Sequence, residues 1–408
     1  MIAPALRSRL VFVVALLGTA MACRGQSPHQ AEAVMLQQLV DSLRGRVEQA
    51  AKLTFRTPPR SALRSRAQVR QYLLAKLDQE LPPERMRGLE TAYRLFGLLP
   101  DTLELRGLLL DLYAEQVAGY YDPDSAMLFG VAGAGREELR LVLAHEMVHA
   151  LQGEYLPLDS ILKATANNDR LTAAQAVLEG QATLASIEVL APGRHVTETP
   201  QFWEMYRDQV REKQAQMPVF ARAPLVVREA LIFPYLDGAE FMYWWNSSGP
   251  RDTMPYGRRM PTSTEQILHP DRYARGDEPV ALAFAADSAV LYEDVLGENE
   301  VRVLLASLAK SDEVGAVAPL GWGGDRFRVY DSPAGSALVW YVVWDDQRAA
   351  DRFARTAAPA LSRTKRAAYK AQFDTLTVDG RPAIRYVLAP GQWSRWAALP
   401  VASVGRGS

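Results

Sequence analysis

Cysteine is almost missing. A single thiol, Cys23, in 408 residues excludes an internal disulfide framework and any cysteine-based zinc finger or iron–sulfur site. A metal bound by this chain must therefore be held by histidine and carboxylate. Histidine is scarce too, with five in the chain, so any histidine constellation stands out. Excess charge of one sign is also lacking. Forty-six Lys and Arg against 47 Asp and Glu leave a net charge of -1, which provides no basic field to gather phosphates, and nucleic acid is not an expected partner. Internal repeats and low-complexity tracts are absent. The 48% of hydrophobic residues suffice to bury a core in two or three domains.

The N-terminus is an address. Arg7 and Arg9 precede an apolar run from Leu10 to Leu17, then Gly18-Thr19-Ala20-Met21-Ala22 and Cys23. The run is shorter than the roughly 20 residues of a membrane span and has the order of a secretory signal peptide. Residues 1–22 are expected to be that signal, and residues 23–34 a polar tether. Ala20-x-Ala22 suits the ordinary signal peptidase. Cys23 resembles the acylated cysteine of bacterial lipoproteins, although Ala20 stands where leucine is commonest. The expected location is export with a lipid anchor on Cys23, or else plain secretion.

From 35 to 110 the apolar spacing of Met35, Leu36, Leu39 and Leu43, then Val69, Leu73, Leu74 and Leu77, predicts a helical region punctuated by Pro58-Pro59 and Pro82-Pro83. Residues 111–300 read as a mainly helical unit with a short strand near 126–131, and that strand is expected to be a sheet edge where an extended peptide could pair. Residues 301–408 carry strand patterns at 326–330, 337–344, 371–378 and 383–388 around a helix near 347–357, a small α+β domain. The fold class is α+β. The glycines of 321–327 read as a turn.

The chemistry concentrates in the helical stretch LRLVLAHEMVHALQ. It contains His145-Glu146-Met147-Val148-His149, the HExxH pattern, of which chance supplies about 0.004 copies in a chain of this composition. Histidines four apart share a helix face, so both imidazoles can reach one zinc ion at about 2.0–2.1 Å, with Glu146 turned about 100° toward a bound water. The alternative is two satisfied histidines on a core helix. A catalytic zinc needs a third protein ligand and one open position. The metzincin arrangement fails, because Gln152 and Tyr155 stand where its glycine and histidine belong. The helix at 172–187 holds one acidic residue, Glu179, among small residues, with Gly180 expected to let it approach the HExxH helix closely. An exposed helical glutamate is the alternative, and Glu154, Asp159 and Asp169 compete as ligands.

HEMVHALQ followed by LEGQAT resembles the gluzincin metallopeptidases. Gly119-Tyr120-Tyr121-Asp122-Pro123, FPYLDG at 233–238, EQILHPDRY at 265–273 and GWGGDRF at 321–327 are similar to a group of secreted bacterial proteins of that type. The resemblance implies a zincin-like catalytic domain over 111–300. It also implies one zinc per chain on His145, His149 and Glu179, with Glu146 as general base. The implied activity is hydrolysis of peptide bonds in the bacterial cell envelope by a zinc-activated water. Many gluzincins carry an acidic residue four after the third ligand, whereas this chain has Thr183. His269 is the candidate donor to the oxyanion, with a loop residue bonded to nearby backbone as the other reading. Tyr120, Tyr121, Tyr235 and the Tyr243–Trp245 cluster are candidate subsite or core residues. Two other functions use the same residues: hydrolysis of another envelope amide or ester, and a non-catalytic binding lipoprotein with a structural zinc. If Cys23 is acylated, the protein fractionates with membranes and Cys23→Ser releases it or stalls it as precursor; an unmodified mature N-terminus in the soluble fraction would mean plain secretion.

Overall fold

In the computed structural model the described residues are 28–158, 161, 167–193, 196–199, 201–250, 253–362 and 366–405. The signal peptide, Cys23, Asp159 and His195 lie outside them. Helix α1 (Pro28–Ala51) leads to strand β1 (Arg60–Arg64) and helices α2 (Arg66–Glu80), α3 (Pro83–Phe96) and α4 (Leu105–Gln116). Strands β2 (Gly119–Asp122) and β3 (Met127–Val131) precede α5 (Arg136–Tyr155) and α6 (Asn168–Leu190). Then come α7 (Phe202–Ala215), α8 (Pro218–Arg222), α9 (Leu225–Ser248), α10 (Thr264–Leu268) and α11 (Pro270–Arg275). The C-terminal part consists of β4 (Leu282–Phe284), β5 (Val290–Asp294), α12 (Gly297–Ala309), α13 (Asp312–Val317), β6 (Trp322–Tyr330), β7 (Ala337–Trp344), α14 (Gln347–Leu361), β8 (Tyr369–Val378), β9 (Arg381–Pro390) and β10 (Ala402–Val404). The fold is α+β, and no described helix is long and apolar enough to cross a membrane.

The expected all-helical start contains a strand. Pro58-Pro59 ends the preceding segment, and β1 pairs in parallel with β3, Arg60 opposite Met127. Ser65 then starts α2 with a capping box: its hydroxyl accepts from Gln68 N while the Gln68 carbonyl accepts from Ser65 N. Because β1 takes one side of β3 and β2 pairs antiparallel on the other, β3 is the middle strand of this sheet. The expected edge at 126–131 is thus corrected, since the edges are β1 and β2.

The C-terminal sheet runs in the antiparallel order β5-β6-β7-β9-β8. It begins before residue 301, because β5 pairs with β6. Every residue of β7 is buried, which explains its unbroken apolar sequence: both faces are covered. Phe96 of α3 and Phe353 of α14 pack with Trp340 and Phe327 on one side, while Trp393, Leu282 and Ala402 cover the other. The glycines at 321–327, read as a turn, mostly belong to β6. Only Gly321 (φ +81°) turns the chain, and Gly324 (φ +147°) sits at a bulge so close to Val280 that a Cβ would lie 2.4 Å from its carbonyl oxygen.

Helices α6 and α9 cross where Gly180 meets Gly238. A Cβ on Gly180 would lie 2.2 Å from the Gly238 carbonyl carbon, and one on Gly238 would lie 2.1 Å from Ala176 O. Gly180 thus serves contact with α9, and α6 reaches α5 through Ala182, Ala185 and Val189, which pack on Ala144, Met147, Val148 and Leu151.

Between α6 and the C-terminal sheet lies a set of buried carboxyl groups. Asp169 accepts from Thr264 N (2.9 Å), and Asp325 accepts from Leu296 N, Gly297 N and the indoles of Trp322 and Trp340. Glu300 accepts from Tyr93 Oη (2.7 Å) and Asn168 Nδ2 (2.8 Å). Burial, against these hydrogen bonds, raises Asp169 to about 7, Asp325 to about 6 and Glu300 to about 8. A carboxyl raised this way keeps its proton in the folded state after the unfolded chain has lost it. Its stability contribution is complete below the unfolded value and falls by up to about 1.4 kcal/mol per pH unit until the folded value is passed. Thermal stability is expected to decline from pH 5 to pH 8, and Glu300→Gln, which keeps the acceptor oxygen, to weaken that decline when melting is followed by circular dichroism; an unchanged slope would show that Glu300 does not bind the extra proton.

Candidate metal centre and cleft

Helix α5 buries Leu139, Leu143, Ala144, Met147, Val148 and Leu151. This holds His145 and His149 one turn apart on the side facing α6. Opposite them α6, whose N-terminus is capped by Asn167 through Arg170 N (2.9 Å), presents Glu179. His145 Nε2 lies 3.0 Å and His149 Nε2 3.2 Å from the same Glu179 oxygen, and the two Nε2 atoms are 3.1 Å apart. These are the only three described histidine, cysteine or carboxylate residues whose ligand atoms gather closely enough for a metal ion. Ligands on a tetrahedral zinc at about 2.05 Å are separated by about 3.3 Å, so the observed spacing and the nitrogen–oxygen donor set fit that ion.

Glu146 does not join the trio. Its Oε2 accepts from Tyr121 N at 2.9 Å, so strand β2 orients it. Burial raises its carboxyl above the ordinary value, while the His149 and His145 charges and the Tyr121 bond oppose. Such a shift moves a carboxylate toward the range where it exchanges protons efficiently near neutrality. Burial lowers the His149 imidazole, but the Glu179 charge and hydrogen bond outweigh it and carry the imidazole up to about 9 in the metal-free chain. Burial raises the Glu179 carboxyl, but the charges of His149 and His145 and the hydrogen bonds to both outweigh it and push Glu179 well below the usual carboxylate range.

His149 is fixed from behind by Gln152. Its Nδ1 lies 2.8 Å from Gln152 Oε1, so Nδ1 carries a proton and Nε2 is the nitrogen that would meet a metal ion. Gln152 is fully buried and donates to Leu178 O (2.9 Å) and Gln181 Oε1 (2.8 Å). It thereby ties the histidine to the backbone beside Glu179. A residue three after a ligating histidine shares its helix face, which is the sequence signal for this role. Thr183, the position four after Glu179, forms no such bond; its hydroxyl is buried without a partner.

The remaining candidates separate from the site. His269 pairs with the buried Glu298 (2.9 Å) and does not line the cleft. The side chain that does stand beside the trio is Tyr235, whose ring stacks on His145 with centroids 5.6 Å apart and planes at 24°. The Glu179 charge, burial and a hydrogen bond to Glu179 raise the Tyr235 hydroxyl well above its ordinary value. It stays a proton-bearing donor. Glu154 accepts from Arg56 N (2.6 Å) and Thr57 N (3.1 Å), and Asp169 is engaged with Thr264, so neither competes for the metal. Trp245 and Phe241 are core, whereas Tyr120 and Tyr121 line the cleft.

Two cavities meet at His145, Glu146 and Tyr235. One, of about 390 Å³, is bordered by Tyr72, Tyr113, Tyr120 and Tyr121 and contains the whole trio. The other, of about 490 Å³, runs between α5, α6 and α7.

The model of a domain of unknown function, DUF8575, matches residues 287–394, the C-terminal sheet and its helices. This stretch is separate from the residues that gather at the metal centre. No curated protein matches the chain in sequence. Among solved structures, a Chloroflexus aurantiacus protein provisionally described as a hydrolase with a novel fold aligns with a TM-score of 0.40 at 19% identity, covering 62% of this chain and 93% of its own.

Replacing Gln152 by Ala removes the acceptor that orients His149. Zinc affinity, measured by competition with a chelating indicator, is expected to fall about 10–100-fold; affinity equal to wild type would remove Gln152 from the site.

Proposed function

We propose that the chain is a zinc-dependent hydrolase that cleaves peptide bonds, acting where its N-terminal signal and Cys23 would place it, exported and lipid-anchored in the cell envelope. The observation that carries this reading is the convergence of His145, His149 and Glu179 to within 3.2 Å of one another, with the Glu146 carboxyl beside them and a cavity opening on either side. Three ligands and open space suit a catalytic ion, whereas a structural zinc is closed by four. When bound, zinc supplies a Lewis acid that polarises a carbonyl and makes water acidic enough to ionise near neutrality. The chain supplies the rest. Glu146, held by Tyr121 N, takes the proton of the attacking water and returns it to the leaving amine. Tyr235, standing over His145 with its proton retained, donates to the oxygen on which negative charge develops. Gln152 holds His149 in the ligating tautomer. The two cavities give an extended chain a path through the centre, which favours a peptide over a compact ester.

Glu146→Gln keeps the ligands but cannot accept a proton, so zinc content should stay near one per chain while peptide turnover falls about 10²–10⁴-fold. Glu179→Ala should lower zinc affinity by at least about tenfold, and Asp169→Ala should retain the ion. Wild-type turnover in Glu146→Gln, or unchanged zinc binding in Glu179→Ala, would overturn the reading.

A further inference from the structure

The cavity between α5, α6 and α7 has a composition that restricts what can occupy it. Leu141 and Val142 of α5, Ile187 and Leu190 of α6, and Tyr206 and Val210 of α7 make its walls apolar. Leu141 is 48% exposed, an apolar side chain at the mouth that an incoming apolar group would cover. Residues 206, 210 and 213 lie on one face of α7, so Lys213 stands beside Tyr206 and Val210 on the cavity lining. Apart from Glu146 and His145 at the metal centre it is the one charged group there, and among the described residues no carboxylate pairs with its ammonium.

We infer that this arm of the cleft binds the substrate segment on one side of the scissile bond, seating a large apolar side chain next to the bond and pairing Lys213 with a carboxylate beyond it. The inference rests on the hydrolase reading. The carboxylate comes from an acidic side chain or from the chain end. The walls give the apolar preference, because exchanging a large side chain for a small one in such a pocket is worth at least about tenfold. An ion pair at the solvent-open edge adds about fivefold.

The test uses the full mature chain loaded with zinc and four internally quenched peptide sets: Leu or Ala beside the bond, and Glu or Gln beyond it, each with a free or amidated C-terminus. Expected are at least about tenfold higher kcat/KM for Leu over Ala on one side only, and about fivefold for the peptide with the carboxylate. The Glu-to-Gln and acid-to-amide ratios tell the two sources apart. In Lys213→Glu the carboxylate preference should be lost, and a further set with Lys in place of the distal Glu should be preferred over the Glu set. The same ratios are read as affinities by titrating peptides into zinc-loaded Glu146→Gln, which does not depend on turnover. Peptides that bind with these ratios but are not cleaved by the wild type would sink the hydrolase reading and uphold the arm. Equal carboxylate ratios in wild type and Lys213→Glu, or no apolar preference in either measurement, would overturn the arm.

Discussion

The contact on which the site depends is backbone against backbone, where α6 crosses α9 at Gly180 and Gly238. With no Cβ on either side, the two helices approach more closely than any other residue pair allows. Glu179 immediately precedes Gly180, and Tyr235 lies one turn before Gly238, so both polar side chains are delivered to the histidines by one crossing. A methyl group at either glycine would have to displace main-chain atoms, which a rigid helix pair resists. The candidate metal centre is thus assembled from three helices, with the spacing of α6 and α9 set by two missing side chains.

A second constraint comes from the other end of α6. Asp169 there is locked to Thr264, and Gly297 packs against its carboxylate so closely that a Cβ would lie 1.9 Å from Oδ1. Asp325 in turn gathers the N-termini of α12 and two indoles. The helix that carries Glu179 is therefore anchored in the C-terminal part as well as in the helical part. Glu300, raised to about 8, keeps its proton at neutral pH and Asp169, raised to about 7, keeps it about half the time, which relieves the repulsion in such dense acidic packing.

Much of this was legible in the sequence for identifiable reasons. The HExxH spacing forces two imidazoles onto one helix face whatever the rest of the fold does, and a lone glutamate in a small-residue helix needs a partner. The long C-terminal strands were legible because β7 is apolar throughout and α14 is strongly amphipathic. What escaped were features set by long-range pairing. Strand β1 is five residues long and gains its identity only from β3, which displaces the expected edge. Tyr235 read only as a subsite or core residue and Gln152 only as a departure from the metzincin pattern until α9 and α6 were in place. His269 sits in a histidine–proline turn that reads like a site, yet its partner, Glu298, is 29 residues away and serves the joint.

Helix α7 forms one wall of the cleft, with Tyr206, Val210 and Lys213, yet none of its residues is fully buried. Its opposite wall, α5 and α6, is embedded in the core. Local opening costs least where the fewest apolar contacts are lost, so the free energy landscape of this protein is uneven across its own cleft. A molecule entering the cleft can draw on fluctuations of the outer wall while the arrangement of His145, His149 and Glu179, held by Gln152 and the glycine crossing, stays fixed.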